Sequence, residues 1–221
     1  MEHDPSVQKQ YFQFAYQTGS DIWSHLPYRY KAQQMLPSME KDSLVLDIGA
    51  GRGLWAMNLA KMGFRVLGID YVDTIVQKVN KTIHEEGYGD RVRFVTADAL
   101  DIPFVDKGFK MVTDVGTLQH ITSDKWHGYA HEMKRVLSDD GYYLKISLSR
   151  RTNKFMGWSP RTSDTGDFTK FGVHYHFFTE TEIEEIFQDD FTIIDQQFET
   201  YGSTSDPGDE VVLVFTLMKK K

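Results

Sequence analysis

The chain predicts an α/β fold, a parallel sheet with helices on both faces. Three observations carry this expectation. Apolar runs of strand length alternate with helical stretches from residue 44 to residue 149. A glycine-rich turn, "VLDIGAGRG", joins the first strand to the helix that follows. The long stretch between the second and third strands repeats apolar residues at helical spacing, so those strands need a crossover and run parallel.

The elements follow in chain order. Residues 1–41 are aromatic and polar, with Tyr11, Phe12, Phe14, Tyr16, Trp23, Tyr28 and Tyr30 crowded together. One or two helices are expected there, broken near Gly19 and Pro27. "SLVLDIG" is the first strand, and "LWAMNLAKMG" a helix ending at Gly63. "FRVLGID" is the second strand. "DTIVQKVNKTIHEEG" is an amphipathic helix that Asp73 can cap, with Ile75, Val79 and Ile83 on one face and Gly87 at its end. "VRFVTAD" and "FKMVTDVG" are the third and fourth strands. "SDKWHGYAHEMKRVL" is a helix with Ser123 as its expected cap and Trp126, Ala130, Met133 and Leu137 inward. "GYYLKISLS" is the fifth strand. Residues 150–178 break the rhythm with a long polar segment. "FTETEIEEIF" restarts a helix, with Thr179 and Glu182 spaced as a capping box. The tail reads as an antiparallel hairpin, "FTIIDQQFET" and "VVLVFTLM" around the turn-rich "YGSTSDPGD".

Composition narrows the function. A length of 221 residues suits one domain with an appendage: an N-terminal helical lid or arm over 1–41, then a main domain over 42–221. A formal net charge of −7 argues against a non-specific nucleic-acid binder. The absence of cysteine removes disulfides, thiolate metal sites and cysteine nucleophiles. "MEHDPSVQKQ" lacks the pattern of a leader, and no apolar run approaches the roughly 18 residues of a membrane helix. A cytoplasmic protein, monomer or homodimer, is the expectation.

A glycine turn between a parallel strand and a helix points backbone N–H groups at a ligand. A dinucleotide wants G-x-G-x-x-G, but here the glycines fall at Gly49, Gly51 and Gly53, and Leu54 stands where the third dinucleotide glycine belongs. That disfavours a dinucleotide oxidoreductase. The pattern Asp47-x-Gly49-x-Gly51-x-Gly53 instead resembles the turn of class I S-adenosylmethionine-dependent methyltransferases, and the likeness covers residues 43–149 best. Asp70 ends the second strand roughly 20 residues beyond the turn, where an acid accepts from ribose hydroxyls.

The resemblance implies the rest. The fold becomes a three-layer sandwich with a seven-stranded, mostly parallel sheet ordered 3-2-1-4-5-7-6, strand 7 antiparallel. S-adenosyl-L-methionine is the implied cofactor, held by Asp47, Gly49, Ala50, Gly51 and Gly53, by Asp70 and Tyr71, and by Asp98 and Ala99 at the adenine. Asp114, Val115 and Gly116 would pass near the transferring methyl. One departure is Phe109-Lys110, where the family often has Phe-Asp.

Substrate residues are less legible. His120 is a candidate general base or a structural histidine. His174 and His176 alternate on one strand face and suggest a pocket wall; with no third ligand apparent, no metal is expected. Arg150, Arg151, Lys154 and Arg161 form a basic cluster in the 150–178 segment, which the resemblance turns towards substrate. Tyr16, Trp23 and Tyr28 could wall a pocket that closes over both ligands. Methyl transfer is an in-line displacement that needs proximity above all, and a base only if the acceptor must lose a proton. "DVGTLQH" lacks the Asn/Asp-Pro-Pro-aromatic signature of enzymes that methylate base or glutamine amino groups, which favours O, N or C of a small molecule. The alternatives are a protein or RNA methyltransferase and a non-catalytic cofactor-binding scaffold or regulatory protein.

Overall fold

The structure is a computed structural model that describes residues 4–202 and 210–221. Its core is a seven-stranded sheet, ordered β3-β2-β1-β4-β5-β9-β8. The strands are β1 (Leu44–Ile48), β2 (Arg65–Asp70), β3 (Val92–Thr96), β4 (Phe109–Val115), β5 (Leu137–Leu148), β8 (Phe191–Gly202) and β9 (Glu210–Lys220). β1 to β5 run parallel. β9 is antiparallel to both β5 and β8. β6 (Asp167–Lys170) and β7 (Val173–His176) form a separate ribbon, so β8 and β9 are the sixth and seventh strands of the main sheet. The expected order holds on that count.

Two apolar layers flank the sheet, as a parallel sheet requires. One packs α4 (Leu54–Lys61) and α5 (Asp73–Glu85) with Val45, Val66 and Phe94. The other packs α6 (Trp126–Val136) and α7 (Glu180–Phe187) with Leu46, Val112 and Tyr143. Ile75, Val76, Val79 and Ile83 of α5 are buried, following the helical repeat. Thr179 and Glu182 make the reciprocal capping box that starts α7.

Several local expectations are corrected. The N-terminal segment holds three helices: α1 (Pro5–Thr18), α2 (Ile22–His25) and α3 (Tyr28–Gln34). Asp4 and Asp21 cap the first two, adding a start signal between the expected breaks. Ser123 does not cap α6. It opens a short 3-10 turn over 123–125, and α6 begins at Trp126. Asp73 is the first residue of α5 rather than its cap, and the amide of Val72 is satisfied by Asp70 instead. The 150–178 segment is not all loop, because the β6–β7 ribbon lies within it. The turn expected between β8 and β9 lies, over 203–209, outside the described residues. No helix among the described residues is long and apolar enough to cross a membrane.

Candidate functional site

The carboxyl ends of β1, β2, β3 and β4 open on one cavity of about 260 Å³, where ligands bind in open α/β sheets. The N-terminal helices contribute to its wall through Gln8, Tyr11, Phe12, Tyr16, Trp23 and Tyr28. Gly49, Gly51 and Gly53 all adopt left-handed backbone, with φ of 59°, 49° and 73°. Their neighbours differ. A Cβ on Gly49 would stand 2.2 Å from Thr117 Oγ1, and one on Gly51 would meet the Tyr16 ring at 3.2 Å. A Cβ on Gly53 would stand 2.8 Å from Val79. Gly49, Ala50 and Gly51 line the cavity, whereas Gly53 is absent from the wall and lets the turn settle on α5 and β3. Gly116 accommodates the Trp23 indole, which lies 2.1 Å from where its Cβ would be.

Two buried carboxylates flank the turn, and Asp70 fastens it. Asp70 Oδ2 accepts from the amide of Gly51 at 2.9 Å, and Oδ1 accepts from Val72 at 2.9 Å. The Tyr16 hydroxyl is a third donor. Burial pushes the Asp70 carboxyl up to about 6, against the pull of these donors. Asp47 Oδ1 accepts from Thr113 Oγ1 at 2.8 Å, while its buried Oδ2 has no hydrogen-bond partner. Burial raises Asp47 to about 7; the Thr113 bond opposes this, and the charges of Asp114 and Asp70 add to it. The indole nitrogens of Trp23 and Trp55 are likewise buried without a hydrogen-bond partner, and both side chains line the cavity. Such orphaned atoms are what a polar ligand would satisfy. Asp98 and Ala99 also line it; Asp98 Oδ1 accepts from the Leu100 amide at 2.9 Å. The Tyr71 ring lies beside them, its phenol pushed up by burial and by Asp70.

Asp114 is not on the cavity wall. Its carboxylate points into the α6 side of the sheet, accepting from Tyr129 at 2.9 Å and Tyr143 at 3.3 Å. It also takes the Thr117 amide at 2.6 Å, so it fastens the turn after β4, while Val115, Gly116 and Thr117 reach the cavity.

His120 lines the cavity between two rings. Phe12 and Tyr175 meet it edge to face, each with centroids 4.9 Å away. Its Nδ1 lies 2.7 Å from the His174 carbonyl, which only accepts, so Nδ1 carries the hydrogen. The Gln119 amide nitrogen faces Nε2 at 3.3 Å, and Gln119 Oε1 accepts from Leu148. Gln8 of α1 completes the network. Its amide donates to the His120 carbonyl at 3.2 Å and accepts from the His174 amide at 3.1 Å.

Tyr16, Trp23 and Tyr28 line the cavity; Arg150, His174 and His176 do not. The two histidines share a ribbon face, as alternation requires, but that face turns to Asp167, at 3.6 Å from His174 and 2.9 Å from His176. Tyr175, between them, faces the cavity instead. Among the described residues no group of three metal-ligating side chains is assembled. The arginines of the basic cluster are engaged locally and do not line the cavity: Arg150 donates to the Ser163 carbonyl, Arg151 pairs with Glu180, and Arg161 donates to the Arg151 carbonyl. Sequence reasoning missed Tyr175, Gln8, Trp55 and Met156. Only Tyr175 had a signal, as the residue opposite in alternation to the histidines.

Residues 45–141 match the family model described as a methyltransferase domain. The human EEF1A lysine methyltransferase 2 is 33% identical over 49% of this chain and 48% of its own length. The 27-O-demethylrifamycin SV methyltransferase of Amycolatopsis mediterranei is 35% identical over 48% of this chain and 39% of its own length. The chain thus spans about half or less of the curated relatives it matches. Among solved structures, the 1,6-didemethyltoxoflavin-N1-methyltransferase of Burkholderia thailandensis, with bound 1,6-didemethyltoxoflavin and S-adenosylhomocysteine, is similar in fold. It superposes with a TM-score of 0.76 at 22% identity, covering 98% of this chain and 88% of that one.

Proposed function

We propose that the chain, whose residues 45–141 match a methyltransferase domain, is a class I S-adenosylmethionine-dependent methyltransferase that moves a methyl group from S-adenosylmethionine to an O, N or C atom of a small molecule. The observation that carries this reading is the convergence of Asp47, Asp70 and Asp98 on one cavity, with Asp47 Oδ2 left unpartnered. Asp47 is suited to the cationic amino group of the cofactor, Asp70 to its ribose hydroxyls, and Asp98 with Ala99 to its adenine. Bound there, the cofactor supplies a methyl already activated by its sulfonium. The chain's own residues then position and exclude water. Val115, Gly116 and Thr117 flank the methyl end, and α1 to α3 act as a lid over 1–41.

A small acceptor is favoured over a protein lysine, the substrate named for the human relative. Gln8 fastens α1 to the backbone at His120 and His174 through two hydrogen bonds, and a wall held in this way supports a small acceptor over a protein segment. His120 is assigned to the wall rather than to proton transfer, since both ring nitrogens are engaged. A cytoplasmic monomer or homodimer completes the reading.

Calorimetric titration with S-adenosylmethionine and S-adenosylhomocysteine tests it. Micromolar binding by the wild type that collapses in Asp70→Ala supports the assignment. No heat with either ligand in a folded wild type would refute it.

A further inference from the structure

The cavity is chemically divided. Its acids stand at the ends of β1, β2 and β3, and α1, the turn at 118–122 and β7 bound the other side. On that side the wall is made of rings: Phe12, His120 and Tyr175 stand in series, edge to face, and Tyr11 and Tyr71 adjoin Phe12. Met156 adds a thioether.

The remaining charges are accounted for. Asp21 accepts from the Ser24 amide at 2.9 Å and faces Arg52 at 3.9 Å. Lys125 is exposed to solvent. His120 donates from Nδ1 to a backbone carbonyl and meets an amide at Nε2. An anionic group on the acceptor would be desolvated against the rings, where the lining offers as cations Arg52, facing Asp21, and the solvent-exposed Lys125, and this carries a large cost. A protonated amine would also find no free base to take its proton.

On the premise of the methyltransferase reading, we propose that the acceptor is an uncharged, planar aromatic or heteroaromatic molecule, seated against the row of rings that Phe12, His120 and Tyr175 form, with its nucleophilic lone pair already free of a proton or shedding it to water. In the transfer, that lone pair forms the new bond to the methyl carbon as the carbon–sulfur bond breaks. The bonding pair returns to sulfur and leaves the neutral thioether. The acceptor gains the methyl together with the positive charge, which it keeps or loses as a proton to solvent.

The test uses the full chain saturated with S-adenosylhomocysteine, titrated at pH 7 with four probes. These are 2-naphthol (flat and neutral), 2-naphthoate (flat and anionic), decahydro-2-naphthol (puckered and neutral) and a short peptide bearing one lysine. The proposal expects 2-naphthol to bind at least about tenfold more tightly than the other three. Tyr175→Leu and, as a second variant, Phe12→Leu should each weaken 2-naphthol several-fold. S-adenosylhomocysteine binding by each variant reports that it is folded. Tighter binding of the naphthoate, the puckered alcohol or the peptide overturns the proposal, as does 2-naphthol affinity unchanged in both variants. Failure of S-adenosylhomocysteine to bind the wild type sinks the cofactor reading and this proposal with it, whereas cofactor binding without naphthol selectivity sinks this proposal alone.

Discussion

Lowering the pH should weaken cofactor binding through one residue, Asp47. Burial holds its carboxyl at about 7, so near neutral pH the free protein is divided between acid and carboxylate. The unpartnered Oδ2 can receive an ammonium only when the group is ionised. Binding then requires a proton to leave, and affinity falls as pH drops below 7. The slope approaches about tenfold per pH unit, equivalent to ~1.4 kcal/mol. From pH 8 to pH 6 the ionised fraction falls about tenfold, and the dissociation constant should rise by the same factor. Asp70, held at about 6, steepens the loss at lower pH. S-adenosylhomocysteine is the ligand of choice, because its amine stays protonated through this range and it lacks the sulfonium. Calorimetry in two buffers of different ionisation enthalpy would count the released proton directly. Asp47→Asn should be weaker at pH 8 by about 10- to 150-fold, the loss of one charge-assisted bond worth ~1.5–3 kcal/mol, and nearly flat from pH 8 to pH 6. A flat wild-type profile would refute the reasoning, as would the full slope persisting in Asp47→Asn.

Two further outcomes follow from buried hydrogen bonds. Tyr16→Phe removes the third donor on Asp70 and leaves that lone pair to a ribose hydroxyl, so S-adenosylhomocysteine should bind about fivefold more tightly, roughly one net hydrogen bond; weaker binding by calorimetry would show that Tyr16 holds the cofactor itself. Lys145 is fully buried, with Nζ 2.6 Å from Ser147 Oγ, and burial lowers it to about 7 against the pull of Asp114 and Glu182. Because its folded value lies below its unfolded one, the stability cost is full below pH 7 and is relieved as pH rises towards the unfolded value. Lys145→Met should therefore stabilise by ~1–4 kcal/mol at pH 6, and by less at pH 9. Urea midpoints at the two pH values check this, and an equal gain at both would contradict it.

The sequence by itself determined the order of strands and helices from β1 to β5, the crossovers and the turn that carries the glycines. These are local matters. Residue spacing sets which side chains share a helix face, and a positive φ requires glycine wherever the rest of the chain lies. Asp70 and Asp98 were legible as acids where the second and third apolar runs stop, and Asp47 by its fixed offset from the glycines, while their roles came from the family resemblance.

Tertiary structure alone decided what each of these groups faces. Asp114 ends an apolar run like its counterparts, yet it turns into the α6 layer because Tyr129 and Tyr143 meet it there. Gly53 belongs to the glycine pattern, yet Val79 and Phe94, far along the chain, require it. Alternation put His174 and His176 on one face and Tyr175 on the other, but only the ribbon's docking on α1 chose which face meets the cavity. Gln8 had no signal at all, because two of its hydrogen-bond partners lie 112 and 166 residues away. Periodicity is a property of neighbouring residues, whereas orientation is settled by long-range packing, which no short window of the chain contains.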